Sequence, residues 1–156
     1  LSAKTHPVPE LLDHAILETL EGHQVNLVVL AGYMRLLGPL TLSRYRGRIL
    51  NIHPALLPKF GGKGFYGLAV HEAVLAAGER VTGVTIHLVD EQYDNGQAIA
   101  QTEVPVLHGD TAESLRDRML IREHEFYVET LRKIALGEIV LASAGEVDRS
   151  LRTEGA

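Results

Sequence analysis

A short apolar run at residues 26–31, Asn-Leu-Val-Val-Leu-Ala, ends at Gly32 and follows an amphipathic segment at residues 10–21. An uninterrupted run of this length is typical of a strand that is buried on both faces of a parallel sheet. The earlier segment has apolar residues at helical spacing and predicts a helix. A helix followed at once by such a strand favours an alternating α/β fold.

The rest of the chain continues this alternation. The predicted elements are helices over 10–21, 38–45, 68–77 and 112–136, and strands over 26–31, 48–52, 84–89 and 98–106. Their order predicts an α/β fold with a mostly parallel, twisted sheet flanked by helices, in a single domain spanning residues 1–156. Asp110 or Thr111 is expected to cap the last helix, with Asp110 and Glu113 spaced as a capping box. The polar tail 146–156 is expected to fray.

Composition excludes several classes of function. The chain of 156 residues has no cysteine, which excludes disulfides, thiolate zinc sites and cysteine nucleophiles. The net charge of −5 and the aromatic content of 5% argue against a nucleic-acid partner. Because neither a membrane-length apolar run nor a signal-peptide pattern is present, we expect a cytoplasmic domain with no membrane partner.

Two polar side chains end the second predicted strand, just before Pro54. Asn51 and His53 are two residues apart and therefore share one face of that strand. An amide N–H and an imidazolium are suitable donors for an oxyanion. A carboxylate from the next loop, such as Asp94, is expected to raise the pKa of His53 by charge pairing and to orient its ring. The same side chains could instead only cap the strand by hydrogen bonds.

Four segments carry a resemblance to a known family. Asn-Ile-His-Pro-Ala-Leu-Leu-Pro at 51–58 and Asp-Glu-Gln-Tyr-Asp-Asn-Gly at 90–96 resemble the signature pair of the folate-dependent formyltransferases. Residues 30–37 and 122–127 resemble further segments of that family, in the same order. The resemblance extends over about residues 9–140 and implies a Rossmann-like formyltransferase fold. It is strongest to the branch of the family that acts on glycinamide ribonucleotide.

The resemblance implies an activity. A formyl group would pass from 10-formyltetrahydrofolate to the amine of glycinamide ribonucleotide, a reaction of purine biosynthesis. Asn51 would stabilise the oxyanion of the tetrahedral intermediate, His53 would donate a proton, and Asp94 would keep His53 protonated and oriented. The resemblance implies no metal ion, and Asn, His and Asp are not the ligand set of a catalytic zinc.

The resemblance also implies binding residues. Those for the folate are Met34, Arg35, Leu36, Leu37, Asn51, Asp90, Glu91, Gln92, Tyr93 and Asp94. At least one of the apolar residues among them is expected to be an ordinary core residue. Glu123 would contact the sugar or amine of the ribonucleotide. Leu120 occupies a substrate-binding position where the family usually has a polar or basic side chain, which weakens the phosphoribosyl site there.

Three other features have less specific interpretations. The glycine-rich segment 59–67 is expected to form a flexible lid beside the site. His87 is expected either to line the site or to be a hydrogen-bonded structural residue. His71 is expected to face solvent.

The strand, phosphate loop and helix that precede this region in the family are expected to be missing from the chain. Alternative functions are a formyltetrahydrofolate deformylase, a methionyl-tRNA formyltransferase or a folate-binding protein without catalysis. The short acidic tail argues against the tRNA enzyme, which usually has a basic C-terminal domain. The sequence does not indicate an oligomeric state.

Overall fold

The computed structural model describes residues 1–141, which form a four-stranded sheet with helices on both faces. The elements in chain order are α1 (Pro9–Gly22), β1 (Val28–Leu30), α2 (Pro39–Arg44), β2 (Ile49–His53), α3 (Leu68–Ala76), β3 (Val81–Leu88), β4 (Ala98–Pro105) and α4 (Ala112–Ala135). Every predicted helix and strand is present, and the α/β class is confirmed. The predicted tail 146–156 lies outside the described residues.

The sheet has the order β1-β2-β3-β4 and is mixed. β1 and β2 are parallel, whereas the β2–β3 and β3–β4 pairs are antiparallel. The expectation of a mostly parallel sheet therefore needs correction. That expectation came from the order of the elements, but β3 runs antiparallel to β2 although α3 lies between them. The burial of β3 on both faces does not depend on its direction. The connection between β3 and β4 is short enough to join antiparallel neighbours.

The core consists of two apolar clusters on opposite faces of the sheet. Leu50 belongs to the cluster that contains Leu115 and Met119 of α4. Its neighbour Ile49 belongs to the other cluster, with Leu37 and Tyr45. Consecutive residues of β2 point to opposite faces, so this one strand anchors both halves of the core and fixes the direction of the polar side chains at its end.

One of the two predicted candidates, Thr111, caps α4, but the capping box differs from the predicted one. Thr111 is the N-cap and forms a capping box with Ser114. Asp110 instead accepts hydrogen bonds from the Leu107 N–H, the Ser114 hydroxyl and the Arg118 guanidinium. The Asp110–Glu113 box was wrong because the helix begins one residue later than that spacing requires. No helix within residues 1–141 is long and apolar enough to cross a membrane.

Candidate active site

A cavity of about 670 Å³ opens where β1 and β2 end. It is bounded by the loops after these strands, by the glycine-rich segment and by one face of α4. The lining residues are 31–34, 51–54, 62–67, His71, Tyr93, Asp94, Arg116, Leu120, Glu123, His124 and Tyr127. The cavity therefore lies at the expected position, beyond the carboxyl ends of the parallel strands β1 and β2.

Asn51 and His53 both line this cavity, as their shared strand face predicts. Asn51 is partly buried and His53 is 4% exposed. Across the β2–β3 pair, Asn51 lies opposite His87, whose Nε2 is 3.4 Å from the Asn51 amide nitrogen. Asn51 is carried by a strand and not by a flexible loop, and its amide group has a second hydrogen besides the one that faces His87, which suits an oxyanion donor.

His53 has a polar group at each ring nitrogen. Its Nε2 is 2.7 Å from the carbonyl oxygen of Phe60, to which it can donate, and its Nδ1 is 3.4 Å from Oδ2 of Asp94. A neutral imidazole has only one N–H, so it can donate to one of these acceptors but not to both. The surroundings of His53 are thus complementary to an imidazolium.

The direction of the His53 pKa shift corrects a sequence-based expectation. Burial lowers the pKa of His53, and the charge of Asp94 together with the Phe60 carbonyl raises it only in part, so the net shift from 6.5 is downward. Charge pairing was expected to dominate because the sequence places Asp94 nearby but gives no measure of burial. The resting imidazole is therefore predominantly neutral at neutral pH.

Asp94 lies between two histidines and a backbone N–H. Its Oδ2 accepts a hydrogen bond of 3.0 Å from Gly62, and its Oδ1 is 3.5 Å from Nε2 of His87. Burial raises the pKa of Asp94, but the contacts with His87, Gly62 and His53 outweigh it, so the net shift is downward. Asp94 is therefore a carboxylate that is held in place from three sides.

The position of Asp94 beside His53 is not explained by the rule that sites form beyond the carboxyl ends of parallel strands. Because β3 is antiparallel to β2, β3 ends at the opposite edge of the sheet from His53. The loop after β3 folds back: Gln97 accepts from the Leu88 N–H, and a Cβ at Gly96 would collide with the Leu88 carbonyl. The absence of a side chain at Gly96 allows this close approach, which returns the loop to the cavity.

His87 is buried beside the cavity and does not line it. Its Nδ1 donates to the Leu88 carbonyl oxygen, 2.8 Å away, so Nε2 of the neutral ring accepts from the Asn51 amide, 3.4 Å away. The structural interpretation of this histidine is the one that the geometry supports. His87 is placed to orient the Asn51 amide.

The glycine-rich segment approaches the site through its backbone. A Cβ at Gly61 would collide with the Leu57 side chain and would lie 3.3 Å from Cβ of Asp94. Gly62, the donor to Asp94, has a φ of +95°, which other residues rarely adopt. Two glycines are thus required where the chain passes Asp94. Movement of this segment as a lid stays a prediction.

The structure places the predicted folate residues unevenly. Besides Asn51 and Asp94, the cavity is lined by Met34, which is 61% exposed, and by Tyr93. Leu37 is 7% exposed and packs in the core, as expected for at least one apolar member of this set. The predicted residues that do not line the cavity are Arg35, Leu36, Leu37, Asp90, Glu91 and Gln92. Asp90 instead shapes the loop by accepting hydrogen bonds from Gln92 and Asn95.

Both predicted residues of α4, Leu120 and Glu123, line the cavity. Burial raises the pKa of Glu123 to about 7. No hydrogen bond or ion pair within residues 1–141 compensates this carboxyl group. Glu123 is therefore able to exchange a proton near neutral pH, and it is poised for a polar ligand.

Sequence reasoning missed other lining residues, notably Arg116, His124 and Lys63. Arg116, Leu120, Glu123 and Tyr127 recur at helical spacing, and that stripe would have identified Arg116 once its partners were known. His71 was expected to face solvent but is 2% exposed and lines the cavity. The apolar residues around it on α3 concealed which side of that short helix faces α4. Within the described residues, no group of three or more His, Asp or Glu side chains is arranged to hold a metal ion.

Comparison with known proteins agrees with this geometry. Residues 2–131 match the formyl transferase family. A chloroplastic phosphoribosylglycinamide formyltransferase from Vigna unguiculata is 48% identical over 130 residues, which are 83% of this chain and 42% of that protein. A phosphoribosylglycinamide formyltransferase from Mycobacterium tuberculosis is 46% identical over 130 residues, which are 83% of this chain and 58% of that protein.

Solved structures give the same result. The crystal structure of glycinamide ribonucleotide transformylase 1 from Symbiobacterium toebii superposes with a TM-score of 0.80 at 42% identity. The superposition covers 92% of this chain and 66% of that one. The chain thus spans about half the length of the curated relatives named above and about two thirds of the solved structure.

Proposed function

The chain belongs to the formyl transferase family, and from this premise we propose that it transfers a formyl group from 10-formyltetrahydrofolate to the amine of glycinamide ribonucleotide. This reaction belongs to purine biosynthesis. The observation that carries the proposal is the convergence of Asn51, His53 and Asp94 at one cavity. The names of the similar proteins support the choice of acceptor.

Asn51 is proposed to stabilise the oxyanion. When the amine nitrogen bonds to the formyl carbon, the carbonyl electrons move to oxygen and a tetrahedral intermediate forms. The Asn51 amide donates to that oxygen, while the contact with His87 holds the amide group in position. A donor fixed before the reaction needs no reorganisation in the transition state, which is why such donors contribute strongly to catalysis.

His53 is proposed to move the proton. The neutral ring accepts a proton from the attacking amine and then delivers it to the folate nitrogen as the bond from the formyl carbon to that nitrogen breaks. Phe60 and Asp94 stabilise the imidazolium that exists between these two steps. Both ring nitrogens have a polar neighbour at rest, so one of these contacts opens while a proton is exchanged with the substrate and closes again on the imidazolium between the two steps.

The residues that line the cavity suggest which of them bind the folate and which bind the ribonucleotide. Met34 offers an exposed apolar surface, and Tyr93 lies on the same cavity, so together they suit the flat pterin. Glu123 is proposed to contact the amine or sugar of the ribonucleotide. A carboxyl group with a pKa of about 7 can accept a hydrogen bond from either and gains charge as a cationic group approaches.

An assay that offers three formyl acceptors one at a time tests the proposal. The protein is incubated with 10-formyltetrahydrofolate and, in turn, glycinamide ribonucleotide, water alone or initiator tRNA, and formation of tetrahydrofolate and the formylated product is measured. We expect turnover with glycinamide ribonucleotide and a background rate with the other two acceptors. Equal release of tetrahydrofolate in water alone would identify a deformylase, and folate binding without turnover would identify a binding protein.

A further inference from the structure

We propose that Tyr127 is a positioning residue for formyl transfer, which sets the distance between the helix that carries Glu123 and the strand that carries Asn51. The inference rests on the proposed function, because that function gives Glu123 and Asn51 their roles. The observation that carries it is independent of those roles: one hydroxyl group joins α4 to both parallel strands.

The Tyr127 hydroxyl lies within hydrogen-bond distance of two backbone carbonyls. It is 2.9 Å from the carbonyl oxygen of Leu30, the last residue of β1, and 3.1 Å from that of Leu50 in β2. A phenol has a single hydrogen, which two acceptors that lie side by side can share. The side chain therefore holds the ends of β1 and β2 at a fixed distance from α4.

Both carbonyls belong to peptide groups that lead into the cavity lining. The carbonyl carbon of Leu30 is bonded to the nitrogen of Ala31, and that of Leu50 to the nitrogen of Asn51. Ala31 and Asn51 both line the cavity. Because a peptide group is planar and stiff, a shift of either carbonyl moves the residue that follows it. For Asn51, such a shift would redirect the amide that is proposed to meet the oxyanion.

Tyr127 also lies one turn after Glu123 on α4. Residues four apart share one face of a helix, and both of these side chains line the cavity. In the proposed reaction Glu123 contacts the acceptor and Asn51 contacts the formyl oxygen. The hydroxyl link between their two elements therefore sets how the amine approaches the formyl carbon. A displacement of reacting groups by about 1 Å can lower a rate about 10²-fold.

The hydroxyl is suited to a permanent link. Tyr127 is 7% exposed, and it belongs to the apolar cluster that contains Leu115 and Met119. Burial raises the pKa of Tyr127, although the contact with the Leu30 carbonyl opposes this, so the hydroxyl keeps its proton at neutral pH. The apolar contacts of the ring do not need the hydroxyl. Tyr127→Phe therefore removes the link and keeps the packing.

Steady-state kinetics of Tyr127→Phe tests the inference. We expect kcat for transfer to glycinamide ribonucleotide to fall about tenfold, while KM for both substrates changes less than about twofold, because no group proposed to contact them is removed. Tyr45→Phe is the matched control. Tyr45 is 3% exposed, belongs to the other apolar cluster and lies outside the cavity lining, so its replacement should keep kcat within about twofold.

The position of the Asn51 amide can be measured without turnover. In a proton–nitrogen correlation spectrum, the side-chain amide resonances of Asn51 are assigned by their loss in Asn51→Ala. They should shift in Tyr127→Phe and keep their positions in Tyr45→Phe. A merely structural role of Tyr127 predicts lower thermal stability with kcat and these resonances unchanged.

A kcat of Tyr127→Phe within about twofold of the wild-type value would overturn the inference. A lower kcat with unmoved Asn51 resonances would overturn the action through Asn51. Failure of the proposed function is distinguishable, because the wild-type protein would then show no transfer to glycinamide ribonucleotide. The Asn51 resonances would still show whether Tyr127 positions that side chain.

Discussion

Nδ1 of His53 lies 3.4 Å from Oδ2 of Asp94, and neither side chain exposes more than a tenth of its surface. The pair is held by groups that are not themselves reactive: the Phe60 carbonyl on His53 and the Gly62 N–H on Asp94. Such support from a second layer keeps reacting groups in position before the substrate arrives. The backbone groups that hold His53 and Asp94 are therefore part of the proposed active site.

Replacement of Asp94 by asparagine tests whether catalysis needs the charge of this side chain in addition to its shape. We expect Asp94→Asn to lower kcat by about 10²–10⁴-fold, because an amide keeps the shape of the site but cannot stabilise an imidazolium. KM for the ribonucleotide should change little, since Asp94 acts on His53. Steady-state kinetics measures both values, and Glu138→Gln, at an exposed position beyond α4, serves as the charge control. A kcat within twofold of the wild-type value would contradict the role of Asp94.

The amide of Asn51 can be tested in the same assay. Asn51→Ala should reduce kcat by about 10²–10³-fold, the usual effect of losing one oxyanion donor. Asn26→Ala, at an exposed asparagine just before β1, is the matched control and should keep full activity. Thermal unfolding of both variants should resemble that of the wild-type protein, because within residues 1–141 the Asn51 side chain makes a single, long hydrogen bond, of 3.4 Å. A kcat of Asn51→Ala close to the wild-type value would contradict the proposed role of Asn51 as the oxyanion donor.

Sequence patterns were sufficient to predict the elements and the shared position of Asn51 and His53 at one cavity. The apolar runs predicted all four strands, and the two-residue spacing of Asn51 and His53 predicted their shared face. Strand direction was not predictable, because β3 is buried on both faces whichever way it runs. The prediction that Asp94 meets His53 was correct, but it assumed a loop that follows a parallel strand. The loop reaches His53 through the fold-back at Gly96, which is a tertiary contact.

The electrostatics of the site could not be predicted from the sequence. The pKa of His53 is shifted in the direction opposite to the expected one because desolvation exceeds charge pairing, and desolvation depends on the whole fold. His71 was misplaced for a related reason. A helix of nine residues has too few turns for its buried side to be read from its own sequence, and the face against α4 is known only when both helices are placed.

Glu123 should make stability depend on pH. Its pKa is about 7 in the folded protein and near 4.5 when unfolded, so between these values the folded state holds a proton that the unfolded state has released. The free energy of unfolding therefore falls as pH rises through this window. Glu123→Gln removes the effect and should be more stable than the wild-type protein at pH ~8, by about 1–2 kcal/mol after allowance for partial solvent screening.

Urea unfolding at pH ~5 and pH ~8 measures this difference. The stabilisation by Glu123→Gln should be small at the lower pH, because most of the window lies above it. Glu103→Gln, at an exposed position on β4, should show no such dependence. An equal difference at both pH values would mean that the carboxyl group is not desolvated in solution.

The backbone of the glycine-rich segment should affect catalysis although no side chain is involved. An alanine at position 62 would be strained at a φ of +95° by about 1–2 kcal/mol, and rotation of the peptide to relieve this strain would withdraw the N–H from Asp94. We expect Gly62→Ala to lower kcat by about tenfold, because Asp94 loses the backbone donor that holds it beside His53. Gly109→Ala, with a φ of +84°, also has open space for the new methyl group and lies outside the cavity lining. Gly109→Ala should therefore lose similar stability in urea unfolding but keep its kcat. An equal fall in kcat for both variants would show that backbone strain alone lowers activity, and it would remove Gly62 from the support of Asp94.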